Sequence, residues 1–389
     1  MDIKEQSLAL HRQLQGKISV KNRMKIQDKK DMALVYTPGV AAPCVAIQED
    51  PSQSYQLTRK HNTVAVISDG SAVLGLGNIG PLAAMPVMEG KCALFQRFAK
   101  IDAIPLVLNT QDVDELVETI YHLSPSFGGI NLEDIAAPRC FEVERRLRER
   151  CDIPVFHDDQ HGTAIVCGAA LLNALRVVHK PLAEVRIVIN GAGSAGVAIS
   201  RFLLALGAQH LTVCDRNGIL REDDLTLNAT QVELAKRTNP NGRKGDLADA
   251  LKKADVFIGV SAGNVATPRM IQSMNNDAIV FPMANPIPEI SREAALQAGA
   301  RIVGTGASNV PNQINNALIF PGLFRGALDG RISQITTEME IAACHALAGI
   351  IPPKELHEEN IIPSIFDPRV VRRVANAVKK VGKKYQTKA

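Results

Sequence analysis

Residues 185–215, VRIVINGAGSAGVAISRFLLALGAQHLTVCD, constrain the fold more tightly than any other stretch. The apolar run at 185–190 reads as a buried strand, 197–206 as an apolar helix and 211–215 as a second strand. Between the first strand and the helix lie Gly191, Gly193 and Gly196 in G-x-G-x-x-G spacing, with Ser194 and Ala195 filling the motif. Such glycines allow a tight turn and let a pyrophosphate approach a helix N-terminus, where unpaired N–H groups favour an anion. Asp215 closes the second strand, where a carboxylate can accept a hydrogen bond from a ribose hydroxyl. That carboxylate would repel a 2′-phosphate and points to NAD; the adjacent Arg216 leaves NADP open.

The same glycine spacing occurs once more, at Gly75, Gly77 and Gly80. Here Pro81 follows the last glycine, and SDGSAVL separates the motif from the apolar run TVAVI at 63–67. Two readings stay open: a glycine turn that lets a helix pack closely, or a loop lining the active site. Further short strands are expected at 103–108, 153–156, 254–260, 278–281 and 301–304, and helices at 112–122, 140–150 and 164–178. Strands alternating with helices mean parallel sheet covered by helices, an α/β class. Residues 217–245 are the most polar and are expected to form a surface excursion. With 389 residues the chain should hold two to three domains at roughly 150 residues each.

Four carboxylates stand in two adjacent pairs, Glu133 with Asp134 and Asp158 with Asp159. Both pairs are embedded in apolar sequence, GGINLEDIAAP and PVFHDDQHGTAIV. Buried carboxylates need a cation or several hydrogen bonds, and an all-oxygen donor set suits Mg²⁺ or Mn²⁺. His157 and His161 imitate the H-E-x-x-H zinc spacing. An aspartate stands where that motif has its glutamate, and Pro154 and Gly162 argue against a continuous helix, so both histidines are read as structural. Lys91 shares helical spacing with Leu94, Phe95 and Phe98. A lysine on an apolar face either snorkels to water or is buried with a lowered pKa and can act as a base. Tyr36 precedes the forced turn at Pro38-Gly39.

The formal charge of +4 argues for neither a nucleic-acid nor a membrane partner. The N-terminus has no apolar core of a signal peptide, and no apolar run reaches the roughly 18 residues of a membrane span. Seven cysteines without a CxxC pair suit a reducing compartment, so a cytoplasmic location is expected. The basic tail RVVRRVANAVKKVGKKYQTK reads as an amphipathic helix with Val371, Val374, Val378 and Val381 inward.

Taken together, YTPGV, SDGSAVLGLGNIGP, EGKCALF, GGINLEDI, FHDDQHGT, INGAGSAG, ANPIPE and NQINNALIFPG resemble the malic enzyme family in its small bacterial form. The motifs stand in the family's order over about residues 30–325. The resemblance implies oxidative decarboxylation of (S)-malate to pyruvate and CO₂ with reduction of NAD(P). It implies Glu133, Asp134 and Asp159 as metal ligands, Lys91 as base and substrate contact, Tyr36 as acid, and Asp158 as the group that tunes Lys91. Asn285 and Asn316 would contact substrate carboxylate, and Asn285 would also lie at the cofactor. A smaller α/β substrate domain, 1–157 with 316–389 returning to it, would meet a Rossmann-type domain, 158–315, across a cleft. A homodimer is implied. The larger eukaryotic form carries a substrate-gripping arginine where this chain has Ala72, so what replaces it is open. Two other readings compete: a dehydrogenase that does not decarboxylate, which needs no metal, and a dinucleotide-sensing regulator acting through the basic tail.

Overall fold

A computed structural model describes residues 2–386 of the chain. Thr387 and Lys388, the end of the basic tail, lie outside the described residues. The first four strands are β1 (Thr63–Ser68), β2 (Asp102–Val107), β3 (Gly129–Leu132) and β4 (Val155–His157). They form a wholly parallel sheet in the order β2-β1-β3-β4. β1 and β3 are buried along their whole length, as continuous apolar runs covered on both faces must be.

The second sheet contains β5 (Arg186–Asn190), β6 (His210–Asp215), β7 (Gly218–Ile219), β8 (Val256–Gly259), β9 (Ala278–Pro282) and β10 (Ala300–Val303). Its order is β10-β9-β8-β5-β6-β7, parallel except for the short β7. The chain runs from β5 outward to β6, then crosses back to β8. The switch point therefore lies beside the C-terminal end of β5, where open α/β sheets bind ligands.

Three expectations need correction. The helix expected at 164–178 begins at Asp158 and runs to Val177, directly from the end of β4 and straight through Gly162. Two acids in the first turn favour its start. Gly162 does not break it, because a Cβ there would overlap Asp158 Oδ1 and crowd Asn316 Cβ. The glycine marks close packing at a site. Second, the polar region 217–245 contains β7 and the helix Ala229–Thr238, which Asn228 and Gln231 cap reciprocally. Leu234 and Ala235 of that helix are buried, so only its outer face is polar. Third, the tail helix Arg369–Gly382 buries Val370, Val374 and Val378, while Val371 and Val381 are partly buried. The stripe is set by Phe320–Gly330, where Gly322 and Gly326 let Val374, Ala375 and Val378 approach the backbone.

A ring cluster ties these parts together. Phe95 of the helix Gly80–Ala99 meets Phe320 at 4.7 Å and Phe324 at 5.4 Å between centroids, and Phe156 of β4 meets Phe324 at 5.9 Å. Edge-to-face rings of this kind fix helix orientation beyond simple burial. All seven cysteines are free. Among the described residues no helix is long and apolar enough to cross a membrane.

Candidate active site

Lys91 lies one turn before Phe95 on the same helix, so the ring cluster that anchors the helix also sets the lysine. Its side chain does not snorkel. The residue is 7% exposed, and its Nζ lies 2.6 Å from both oxygens of Glu133, against Asp158 Oδ2, and 4.5 Å from the centre of the Phe320 ring. Burial alone would lower its pKa, but the charges of Asp158, Glu133 and Asp159 outweigh that and raise it. The expectation of a lowered pKa therefore fails for the chain by itself: the carboxylates hold Lys91 protonated.

Three short connections bring the acids together. Glu133 follows β3 and keeps ladder register by donating its N–H to Ile67 O. Asp134 comes next at φ 54°, in the left-handed region that favours glycine. Its N–H donates to Asp159 Oδ2 at 2.8 Å. Asp158 and Asp159 open the helix after β4. Carboxylate oxygens of Glu133, Asp134 and Asp159 lie within 4.8 Å of one another. Burial pushes the Asp134 carboxyl up to about 9, with Asp159 and Glu133 adding to the shift. Burial raises Glu133 and Asp159 as well, and Asp158 to about 6.

Asp134 Oδ2 is buried without a hydrogen-bond partner among the described residues. An orphaned buried oxygen beside two further carboxylates fits a hard divalent cation, because desolvated like charges at this spacing repel one another unless a positive charge enters. The residues present therefore fit Mg²⁺ or Mn²⁺.

Beside this cluster stands another that sequence reasoning missed. His161 lies 3.0 Å from Glu144 and 2.9 Å from Glu340. Burial would lower the imidazolium pKa, but the two glutamates raise it to about 10. Glu144 also accepts from the His157 N–H at 3.3 Å and from Gln160 Nε2 at 3.4 Å. A signal was available: Glu144 shares the buried face of Arg139–Arg150 with Cys140, Val143 and Leu147. That is the pattern that singled out Lys91. His157 is fully buried, its Nδ1 3.8 Å from Asp159, and burial lowers its pKa. Neither histidine sits in a zinc-type set.

A cavity of about 490 Å³ opens over Lys91 and Glu133 and is walled in part by Asn315, Asn316 and Phe320. Asn316 is thus brought to the cluster from the far end of the chain. Asn285 is not part of this cavity wall; it stands in the loop after β9, where a Cβ on Gly75 would meet Asn285 O and Pro286 Cδ. Of the first glycine motif, only Gly75 has no room for a Cβ, against the loop after β9, while Gly77 and Gly80 serve turns at φ 73° and 76° with open space where a Cβ would stand. Glu289, fully buried, holds that loop by accepting from the Ser261 and Ala284 N–H groups. Tyr36 ends the helix Lys29–Val35, is 66% exposed and is not part of the cavity wall.

At the second glycine motif each glycine has its own work. Gly191, at φ 122°, passes against Val260 O, and a Cβ on Gly196 would overlap Gly191 O. Gly193 faces open space and caps the helix Ser194–Leu206 without a side-chain bond. The open N–H groups over Ser194 and Ala195 are where an anion would rest. Asp215 ends β6 and accepts from the Asn217 N–H at 2.7 Å.

The family description "Malic enzyme, N-terminal domain" matches residues 15–148, and "Malic enzyme, NAD binding domain" matches residues 160–383. The chain is 52% identical over 381 residues to the bifunctional malic/malolactic enzyme of Bacillus subtilis (strain 168), spanning 98% of this chain and 93% of that one. It is 47% identical over 387 residues to the NADP-dependent malic enzyme of Haemophilus influenzae, 94% of this chain but 50% of that one. The crystal structure of the NAD-dependent malic enzyme from Thermotoga maritima superimposes with a TM-score of 0.93 at 50% identity, covering 96% of this chain and 98% of that one.

Proposed function

The chain belongs to the malic enzyme family, and from that membership we infer that it oxidises (S)-malate and decarboxylates it to pyruvate and CO₂ while reducing NAD(P). The observation that carries this reading within the molecule is the buried Lys91 between Glu133 and Asp158, beside an Asp134 oxygen that has no partner. A dehydrogenase that only moves hydride has no need of those acids.

Glu133, Asp134 and Asp159 would hold Mg²⁺ or Mn²⁺. The cation supplies the positive charge that acidifies the substrate hydroxyl and polarises the C2 carbonyl. With a cation held by Glu133, Asp134 and Asp159, the negative charge that keeps Lys91 protonated is offset, and its neutral amine takes the proton from the C2 hydroxyl as hydride leaves C2 for the nicotinamide. Asp158 and Glu133 hold its Nζ in place and stabilise the ammonium that forms. The C3–C4 bond then breaks, C4 leaves as CO₂ and the electron pair passes toward C2. Tyr36 is assigned the proton that C3 receives. In the single chain it stands clear of the cavity, so this assignment requires that assembly or closure bring the turn after Tyr36 to the cleft. Asn316 and Asn285 orient substrate carboxylate from opposite sides.

The dinucleotide lies over Gly191, Gly193, Ser194, Ala195 and Gly196 at the switch point, with its ribose on Asp215. Repulsion of a 2′-phosphate by Asp215 makes NAD the assigned cofactor over NADP. The substrate unit is 1–157 with 316–389, and the nucleotide unit is 158–315. In support, Phe320 and Phe324 return to Phe95, and β5–β10 close a sheet of their own. The N-terminal helices bury none of their residues and leave Ile3, Leu8, Leu14, Met32 and Leu34 exposed, which supports a homodimer. Free cysteines support a cytoplasmic location.

The test is reduced-nicotinamide absorbance with (S)-malate, MnCl₂ and either NAD or NADP, with pyruvate and lactate quantified in the same tube. Equimolar reduced cofactor and pyruvate, abolished by EDTA, is the expected result. Reduction without pyruvate would leave a dehydrogenase and overturn the decarboxylation. In Tyr36→Phe, hydride transfer should persist while ketonisation of enolpyruvate fails; unchanged overall turnover would remove Tyr36 from the mechanism.

A further inference from the structure

The cavity over Lys91 has a charge problem. Four carboxylates, Glu133, Asp134, Asp158 and Asp159, surround one ammonium that is already committed to two of them. A divalent cation still leaves the site negative, and a dicarboxylate substrate adds two further negative charges. Ala72, whose N–H donates to Asp134 O at 2.9 Å, has no cationic side chain to offer. The asparagines in the wall are neutral, and Asn315 Oδ1 is taken by the Ala317 N–H.

A second lysine closes the cavity from outside. Lys17 lies just beyond the helix Ile3–Leu14 and lines the cavity along with Lys91, Glu133 and Asn316. Two bonds pin it to the outer face of Gly80–Ala99: its N–H donates to Glu89 Oε2 at 3.0 Å, and its Nζ donates to Pro86 O at 2.5 Å. A Cβ on Gly90, the residue before Lys91, would lie 3.8 Å from Lys17 Nζ. Gly90 therefore leaves room for the ammonium on the helix turn that carries Lys91. An ammonium has three donors, so two N–H groups remain beyond the Pro86 bond. Burial lowers the Lys17 pKa, with Glu89 opposing, so the group is partly stripped of water before any ligand arrives.

We propose that Lys17 is the cation that receives a carboxylate of the dicarboxylate substrate at the mouth of the Lys91 cavity, the task for which Ala72 leaves no side chain. The proposal rests on reading the cavity as a malate site. A charge-assisted N–H···O bond in a partly desolvated mouth is the strong kind, and it acts on binding rather than on the bonds that break. Lys17 is a substrate-binding residue supplied by the N-terminal segment. That segment thereby acquires a part in substrate binding although its first helix buries no residue.

The test is steady-state kinetics of the full chain with MnCl₂ and the cofactor that wild type uses. Lys17→Met should raise KM for (S)-malate by about tenfold or more, leave kcat within about threefold and leave KM for the dinucleotide unchanged, the signature of lost uniform binding. Lys17→Gln, which can still bond Pro86 O, should show the same rise, and Lys17→Arg should recover most of it. Lys21→Met, in the same segment but outside this cavity, is the control and should match wild type. A malate KM within about twofold of wild type in both neutral variants overturns the proposal. So does a loss confined to kcat. Wild type that reduces neither cofactor with malate would strike the malate reading itself, a result distinct from either.

Discussion

Two buried charge clusters meet the first turn of the helix Asp158–Val177, and they are built on opposite terms. Around His161 every charge has a partner from the chain. The imidazolium is held between Glu144 and Glu340, and Glu144 takes two further hydrogen bonds from the same turn. Around Lys91 the chain supplies too much negative charge. One ammonium faces four acids, one carboxylate is pushed up to about 9, and an oxygen of that group has no partner. A cluster that balances itself holds elements together. A cluster left in deficit is, on the function proposed above, one that cation and substrate complete.

The largest expected effect breaks the deficit cluster. Lys91→Ala should lower kcat for malate oxidation by on the order of 10³-fold, whereas His161→Asn should lower it far less; equal losses would erase the distinction. Stability tests the self-balanced cluster directly. His161→Ala removes the cation between two buried glutamates and should cost about 3–5 kcal/mol in urea unfolding, as broken buried pairs do. A cost below about 1 kcal/mol would mean that water, or Arg148 at 3.9 Å from Glu144, replaces the imidazolium.

Cation binding sharpens the contrast. MnCl₂ at about a hundred times its Kd should stabilise the wild type by about 2.7 kcal/mol. Asp134→Asn should lose most of that, and Glu340→Gln should keep it. A stabilisation that survives Asp134→Asn would place the cation elsewhere.

The two clusters also differ in pH dependence. His161 has its pKa raised from 6.5 to about 10, because Glu144 and Glu340 outweigh burial. The folded state therefore holds a proton that the unfolded chain releases, so this stability is complete below about pH 6.5 and is lost as pH rises through 10. Asp134, raised from 3.8 to about 9 chiefly by burial, acts with the same sign: without cation, its ionisation costs stability as pH climbs from about 4 to 9. MnCl₂ should cancel the Asp134 part and leave the His161 part. Melting curves from pH 5 to 10, with and without MnCl₂ and in His161→Asn, separate them.

Much of this was legible in advance where the signal is local. The strands fell within a few residues of their expected places, and Gly191, Gly196 and Asp215 stand where a βαβ unit needs them. Lys91 betrayed itself by an i, i+3, i+4 apolar face. Glu144 carries the same signal, an acid on the apolar face of Cys140, Val143 and Leu147, so the second cluster is legible by the same rule. Gly162 misled for a physical reason: a glycine in a helix lowers propensity by about 1 kcal/mol, but the space it vacates for Asp158 outweighs that here. Lys91's charge state also misled, since burial and acidic neighbours act in opposite directions and only distances decide between them.

By itself the amino-acid sequence determined the α/β class, the nucleotide turn, the acidic pairs and the lysine that faces the core. All of these depend on contacts within a turn, a strand or one βαβ unit, where spacing dictates geometry. Tertiary structure alone decided that His161 pairs with Glu340, that Asn316 returns to Lys91, that Gly75 meets Asn285 and that Lys17 closes the cavity. Those meetings join residues far apart in the chain, and no local spacing encodes them. The return of Asn316, for one, follows from how the Phe95, Phe156, Phe320 and Phe324 cluster packs the helix after it against the first sheet.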